Sequence, residues 1–100
     1  MYYQGTITAL RASIKEARPG VCAEYSELVP NEIAPLPYLL WMCDEVEKMD
    51  TCSIDDSVKA GRWMGWVFAH AELAGIWDNA KTRDVVRDDR RNGYDKPHQE

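Results

Sequence analysis

Apolar residues recur at helical spacing in four stretches of this chain. Ile7, Leu10, Ile14 and Ala17 share one side of a helix that leaves Arg11, Lys15, Glu16 and Arg18 on the other. Thr6 is its expected cap, and Pro19-Gly20 its stop. A second helix begins near Pro37, since proline's missing N–H costs nothing in a first turn. Leu39, Leu40, Cys43 and Val46, with Met42 and Met49, form its apolar face, and Asp44, Glu45, Glu47 and Lys48 its wet one; it ends near Met49-Asp50. Ser53 stands three residues before Asp56, a carboxylate variant of the capping box, and Asp55 and Asp56 suit the positive end of a helix dipole. These signals predict a long helix from Ile54 to Ala74, closed by Gly75 in a left-handed cap. Asp78 or Asn79 caps a last, short helix to Arg91, whose few apolar residues are Ala80, Val85 and Val86, and Asn92-Gly93 ends it.

Between the first two helices, Pro30, Pro35 and Pro37 forbid a long helix, so residues 19–36 read as a proline-rich connector with a short helix at most. Tyr2 and Tyr3 ahead of Gly5 form a frayed arm or a short edge strand, and residues 94–100 a polar, disordered tail. The expected architecture is all-α: three main helices plus a short C-terminal one in a single domain over residues 1–93, with the long helix at its centre.

That central helix is apolar around most of its girth. Met64, Val67, Phe68, Ala71 and Ala74 form one face, and Trp63, Trp66, His70, Leu73 and Trp77 line another. Gly61, Gly65 and Ala69 lie four apart and form a ridge without side chains. Each glycine costs roughly 1 kcal/mol of helix stability against alanine, so the ridge implies close approach by an internal helix, a second copy or a ligand. A domain of this size hardly covers every face of such a helix, which points to a self-associating or partner-binding patch.

Charge narrows the function classes. The net charge is −5, and from Glu16 to Asp56 the only bases are Arg18 and Lys48. Such a surface repels duplex DNA. The acids of the second helix, Asp44, Glu45 and Glu47, either face a basic partner or simply keep the chain soluble. Three cysteines without CxxC spacing, and no apolar leader, indicate a reduced, cytoplasmic chain. The apolar run from Trp63 to Ile76 is too short to span a bilayer and carries His70 and Glu72.

Chemistry-bearing residues are few. Arg62 is either an anion clamp with Trp63 or Trp66 as a stacking plate, or the partner of Asp55, Asp56 or an acid on a neighbouring helix. His70 reads as a satisfied histidine ahead of a base or ligand. Arg83 and Arg87, one turn apart, either grip an anion together or pair with Asp84 and Asp88. Cys43, Cys52 and His70 match no common zinc spacing, no serine has a histidine–acid arrangement around it, and the adjacent pairs Asp55-Asp56 and Asp88-Asp89 point apart on a helix, so no metal, cofactor or catalytic group is expected.

The run Arg62-Trp63-x-Gly65-x-Val67, then Ala74-Gly75-Ile76-Trp77, then Arg83-Asp84-x-x-Arg87 resembles a pattern in small bacteriophage-encoded proteins of unknown function. It covers residues 59–91, and Ala69-His70-Ala71 departs from it where a polar residue followed by glycine is expected. The resemblance implies a non-catalytic protein that binds and modulates or inhibits a host protein, such as a defence complex, in the bacterial cytoplasm; the apolar girth of the central helix makes a homodimer its expected form. The alternative is sequestration of a small anionic nucleotide signal, with Arg62, Arg83 and Arg87 on the phosphates and a tryptophan on the base.

Overall fold

The computed structural model describes residues 3–50 and 52–91; the expectations for residues 1–2, for the Asn92-Gly93 stop and for the 94–100 tail lie outside the described residues. Among the described residues four helices follow one another: α1 (Gln4–Ala17), α2 (Leu36–Glu47), α3 (Ile54–Leu73) and α4 (Asn79–Asp89), and the fold is all-helical. α1 packs on both α2 and α4, and α2 packs on α3.

The core is built from the predicted stripes. Ile7, Leu10 and Ile14 of α1 meet Leu39, Leu40, Met42, Cys43 and Val46 of α2 and Ala60, Met64, Val67 and Ala71 of α3. Burying a side chain such as leucine or isoleucine fully contributes about 1.5–3 kcal/mol, so these stripes hold the three main helices together. Ala17, Leu73, Ala74 and Ala80, expected on apolar faces, are exposed. Trp77 is not part of α3. It follows the Gly75 turn, is buried, and its Nε1 donates to Ser13 Oγ at 2.9 Å.

Capping explains the boundaries. Ser53 Oγ accepts from the Asp56 amide, but the Asp56 carboxylate does not return to Ser53. It accepts from the Asp50 amide at 2.8 Å and so ties the turn before α3 to the helix. At the other end Gly75 takes φ 75°, with Gly75 N–H bonded to Glu72 O and Ile76 N–H to Ala71 O. This is the paired bonding of a Schellman motif. Asp78 caps α4 through the Lys81 amide.

α1 departs from expectation. Thr6 does not cap it: the helix starts two residues earlier, and Thr6 is fully buried in its first turn. The N-cap residue Tyr3 makes no side-chain cap bond, and the first turn carries no acid. The cap comes instead from Asp89, the last residue of α4. Its carboxylate accepts from Gly5 N (3.2 Å), Thr6 N (2.8 Å) and Thr6 Oγ1 (2.7 Å). An acid is unfavourable at the C-terminus of its own helix and favourable at the N-terminus of another, so the antiparallel packing of α1 on α4 reverses its effect. α4 fully buries no residue, and this clamp, with Val85 resting on the core, fastens it.

Residues 18–35 form the connector and contain no regular helix. Gly20 (φ 83°) and Asn31 (φ 68°) bend it through the left-handed region, which Asn tolerates better than most side-chain-bearing residues. Val21 and Ala34 bury its two ends, and Glu24 N–H bonds to Pro37 O. Among the described residues no helix is long and apolar enough to cross a membrane.

Candidate binding site

The connector arches over the seam of α2 and α3, and a cleft of about 480 Å³ opens there. Tyr38 and Met42, one turn apart on α2, form one wall. Arg62, Trp63 and Trp66 of α3 form the other, and Leu28 of the connector the lip. The aromatic rings continue past the lining. Tyr25 meets Trp41 edge-on at 5.0 Å, Tyr38 lies 5.3 Å from Trp41 and 5.9 Å from Trp66, and Trp41 lies 6.1 Å from Trp63. Lys59 Nζ sits 5.3 Å above the Trp63 ring. Such rings are stiff, bury large areas and keep polar tips for a partner. Burial raises the pKa of the Tyr38 hydroxyl, which therefore stays a neutral donor and acceptor.

His70 closes one end of this ladder. Its ring stacks on Trp66 at 3.8 Å, and its Nδ1 accepts from Ala34 N–H at 3.0 Å. An accepting ring nitrogen carries no proton, so this histidine anchors the connector to α3 and its Nδ1 is not free to act as a base.

The other residues singled out from the sequence fall in three places. Arg62 lines the cleft, is exposed, and makes no ion pair among the described residues; its suggested partner Asp56 is engaged with Asp50. Arg83 and Arg87 do not line the cleft, because α4 packs on α1 while the cleft lies between α2 and α3. Arg87 pairs with Asp84 on its own helix. The convergence of all three arginines on one anion is therefore absent.

The acids of α2 are committed within the chain. Arg11 bonds Asp44 (2.7 Å) and Glu47, Gln4 donates to Glu47, and Lys48 pairs with Glu45. The Arg11 bond, helped by that from Gln4, holds the Glu47 carboxyl below its usual range, and the Arg11 guanidinium is raised in turn, chiefly by Glu47. Asp44, Glu45 and Glu47 are thus not an open acidic band. The acids that remain exposed without an ion pair among the described residues include Glu24, Glu27 and Glu32 of the connector.

The glycine ridge also departs from the internal-crossing expectation. A Cβ at Gly65 would meet nothing within 4 Å, Ala69 is exposed, and only the Tyr3 hydroxyl, 3.8 Å away, approaches Gly61. Among the described residues no helix crosses the ridge at Gly65.

Leu28, Tyr38, Met42 and Trp41 were not singled out as site residues from the sequence. Tyr38 and Trp41 carried a signal, an aromatic pair at i, i+3 on a helix. Leu28 carried none, because its position depends on how the connector folds back. The described residues hold no group of three or more His, Cys, Asp or Glu side chains placed to bind a metal. No family model, curated protein or solved structure matches the chain, so the site is read from its own residues alone.

Proposed function

We propose that this chain is a non-catalytic binding protein that docks a host protein in the aromatic cleft between α2, α3 and the connector. The observation that carries the proposal is the lining itself: Tyr38, Trp63 and Trp66 with Arg62 and the apolar side chain of Met42. Tyrosine, tryptophan and arginine are the residue types that dominate binding energy at protein interfaces. Exposed Tyr25, Leu28, Val29 and Ile33 extend the apolar surface along the connector, and Glu24, Glu27 and Glu32 edge it with negative charge. That combination suits a partner segment that presents an apolar anchor flanked by basic residues. The resemblance of residues 59–91 to small phage proteins supports a host protein as the partner.

Affinity capture from bacterial lysate, read by mass spectrometry, tests this. A partner retained by the native chain is expected to be lost with Trp66→Ala and with Leu28→Glu, and weakened by reversal of Glu24 and Glu27 to lysine. Retention of the same partner by all three variants refutes the cleft as the docking surface. Reversing Glu47 is not a clean test, because it breaks the Arg11 pairs.

Arg62 beside two tryptophans favours a second reading, capture of a small anionic nucleotide. It would use one arginine, without Arg83 or Arg87. Thermal-shift screening against cyclic di- and trinucleotides decides it, since a ligand in excess of its Kd raises the melting temperature by mass action. A flat screen refutes it.

A further inference from the structure

The outer face of α3 carries exposed apolar side chains that no described residue covers. Counted at about 100° per residue, Ile54, Asp55, Val58, Arg62, Gly65, Ala69, Glu72 and Leu73 all fall within an arc of about 100°. The buried residues Ala60, Met64, Val67 and Ala71 lie opposite. Ile54 is 82% exposed, Val58 58% and Leu73 63%, so among the described residues this face carries three of the four most exposed large apolar side chains. Between them the helix surface is low: no described residue would meet a Cβ at Gly65 within 4 Å, and Ala69 is exposed. Glycine is a poor residue for a helix interior, and within the single chain no close contact at Gly65 offsets its cost.

We propose that this face is an antiparallel homodimer seam, α3 against α3 of a second copy. The charges on the face select that occupant. Arg62 and Glu72 lie at opposite ends of the bare stretch, and neither makes an ion pair among the described residues. A two-fold axis between Gly65 and Trp66 sets Val58 level with Leu73 of the second copy. It sets Arg62 level with the second copy's Ala69, three residues or about 4.5 Å from its Glu72, within an arginine's reach. Symmetry makes the ion pair twice. A parallel pair would set Arg62 against Arg62, so the same charges that favour the antiparallel seam oppose the other one. Gly65 and Ala69 let the backbones approach at the crossing. Arg62 borders the aromatic cleft as well, but Val58, Gly65, Glu72 and Leu73 do not line it, so variants there separate the seam from the cleft.

Sedimentation velocity at about 100 µM, where a dimer of micromolar Kd is nearly fully formed, tests the seam. The native chain is expected at twice its 11.5 kDa mass. Val58→Glu with Leu73→Glu is expected to give monomer with unchanged helical circular dichroism. Glu72→Arg is expected to weaken the dimer at least tenfold, and Arg62→Glu with Glu72→Arg to restore it. Should the acidic variant lose helix, Gly65→Leu carries the same test: it places a side chain in open space in the monomer and blocks the crossing in the dimer. A native chain that stays monomeric overturns the proposal. So does a dimer indifferent to Val58, Leu73 and Gly65, and a double charge swap that fails to restore association overturns the antiparallel register.

Discussion

Replacing Asp89 by alanine removes the whole N-terminal cap of α1. Three hydrogen bonds disappear, and the fully buried Thr6 hydroxyl loses the carboxylate to which it donates. Bonds to a charged acceptor contribute about 1.5–3 kcal/mol each when taken singly, and a lost cap costs about 0.5–2 kcal/mol. The three share one partly exposed carboxylate and are not additive, so the expected loss is about 2–4 kcal/mol. For a domain of this size each kcal/mol moves Tm by about 4–8 °C, so Tm should fall by roughly 10–25 °C. Asp89→Asn keeps a neutral acceptor and should lose about half as much. Gly5 supplies a sharper test. A Cβ there would sit 2.7 Å from Asp89 Oδ1, so Gly5→Ala displaces the clamp although alanine is the better helix former. In the Asp89→Ala background that clash is gone, and the same Gly5→Ala change should become neutral or stabilising. Urea unfolding of the four members of this cycle measures the reversal. An Asp89→Ala loss under about 0.5 kcal/mol, or a Gly5→Ala cost equal in both backgrounds, refutes the clamp.

Stability should also fall in acid through Glu47. Its folded-state pKa lies below the ordinary value of about 4.3, so its contribution is complete above that pH and is lost as pH falls through the folded value. Urea midpoints followed from about pH 6 to about pH 3 should show a limb that flattens in Arg11→Met, and an unchanged limb refutes the linkage. His70→Ala should cost about 1–3 kcal/mol by leaving Ala34 N–H without its acceptor. His70→Phe keeps the stack on Trp66, so melting temperatures indistinguishable from the native chain in both variants would sink the anchoring role. Burial pushes the Cys43 thiol up to about 12, whereas Cys22 and Cys52 are exposed. A thiol-reactive chromogen should therefore titrate two cysteines in the native protein and the third only in denaturant; three rapid equivalents refute the buried placement.

What the chain discloses of itself follows the range of each interaction. The helix stripes, the Ser53 and Asp78 caps and the Gly75 stop are set by residues within about four positions of one another, and the sequence places all of them within one or two residues. The α1 cap was misplaced because its acceptor sits 83 positions away on α4. The acids Asp44 and Glu47 read as an open band because Arg11, on a different helix, looked like any solvent-facing base. Arg62 could be read beside Trp63 and Trp66 because the three lie within two turns of one helix. Arg83 and Arg87 were not separable from them, since only the packing of α4 on α1 moves them away. The connector's course is fixed by contacts such as His70 with Ala34, which leave no periodic trace.

The Asp89 clamp carries a further consequence, for the order of assembly on the ribosome. Translation at about 5–20 residues per second separates Thr6 from Asp89 by about 4–17 s, whereas a helix forms in about a microsecond or less. The amides of Gly5 and Thr6 therefore wait seconds for their acceptor, and α2, which emerges next, supplies the first apolar cover for Ile7, Leu10 and Ile14. Of the four helices, the earliest to be synthesised is the last to be closed.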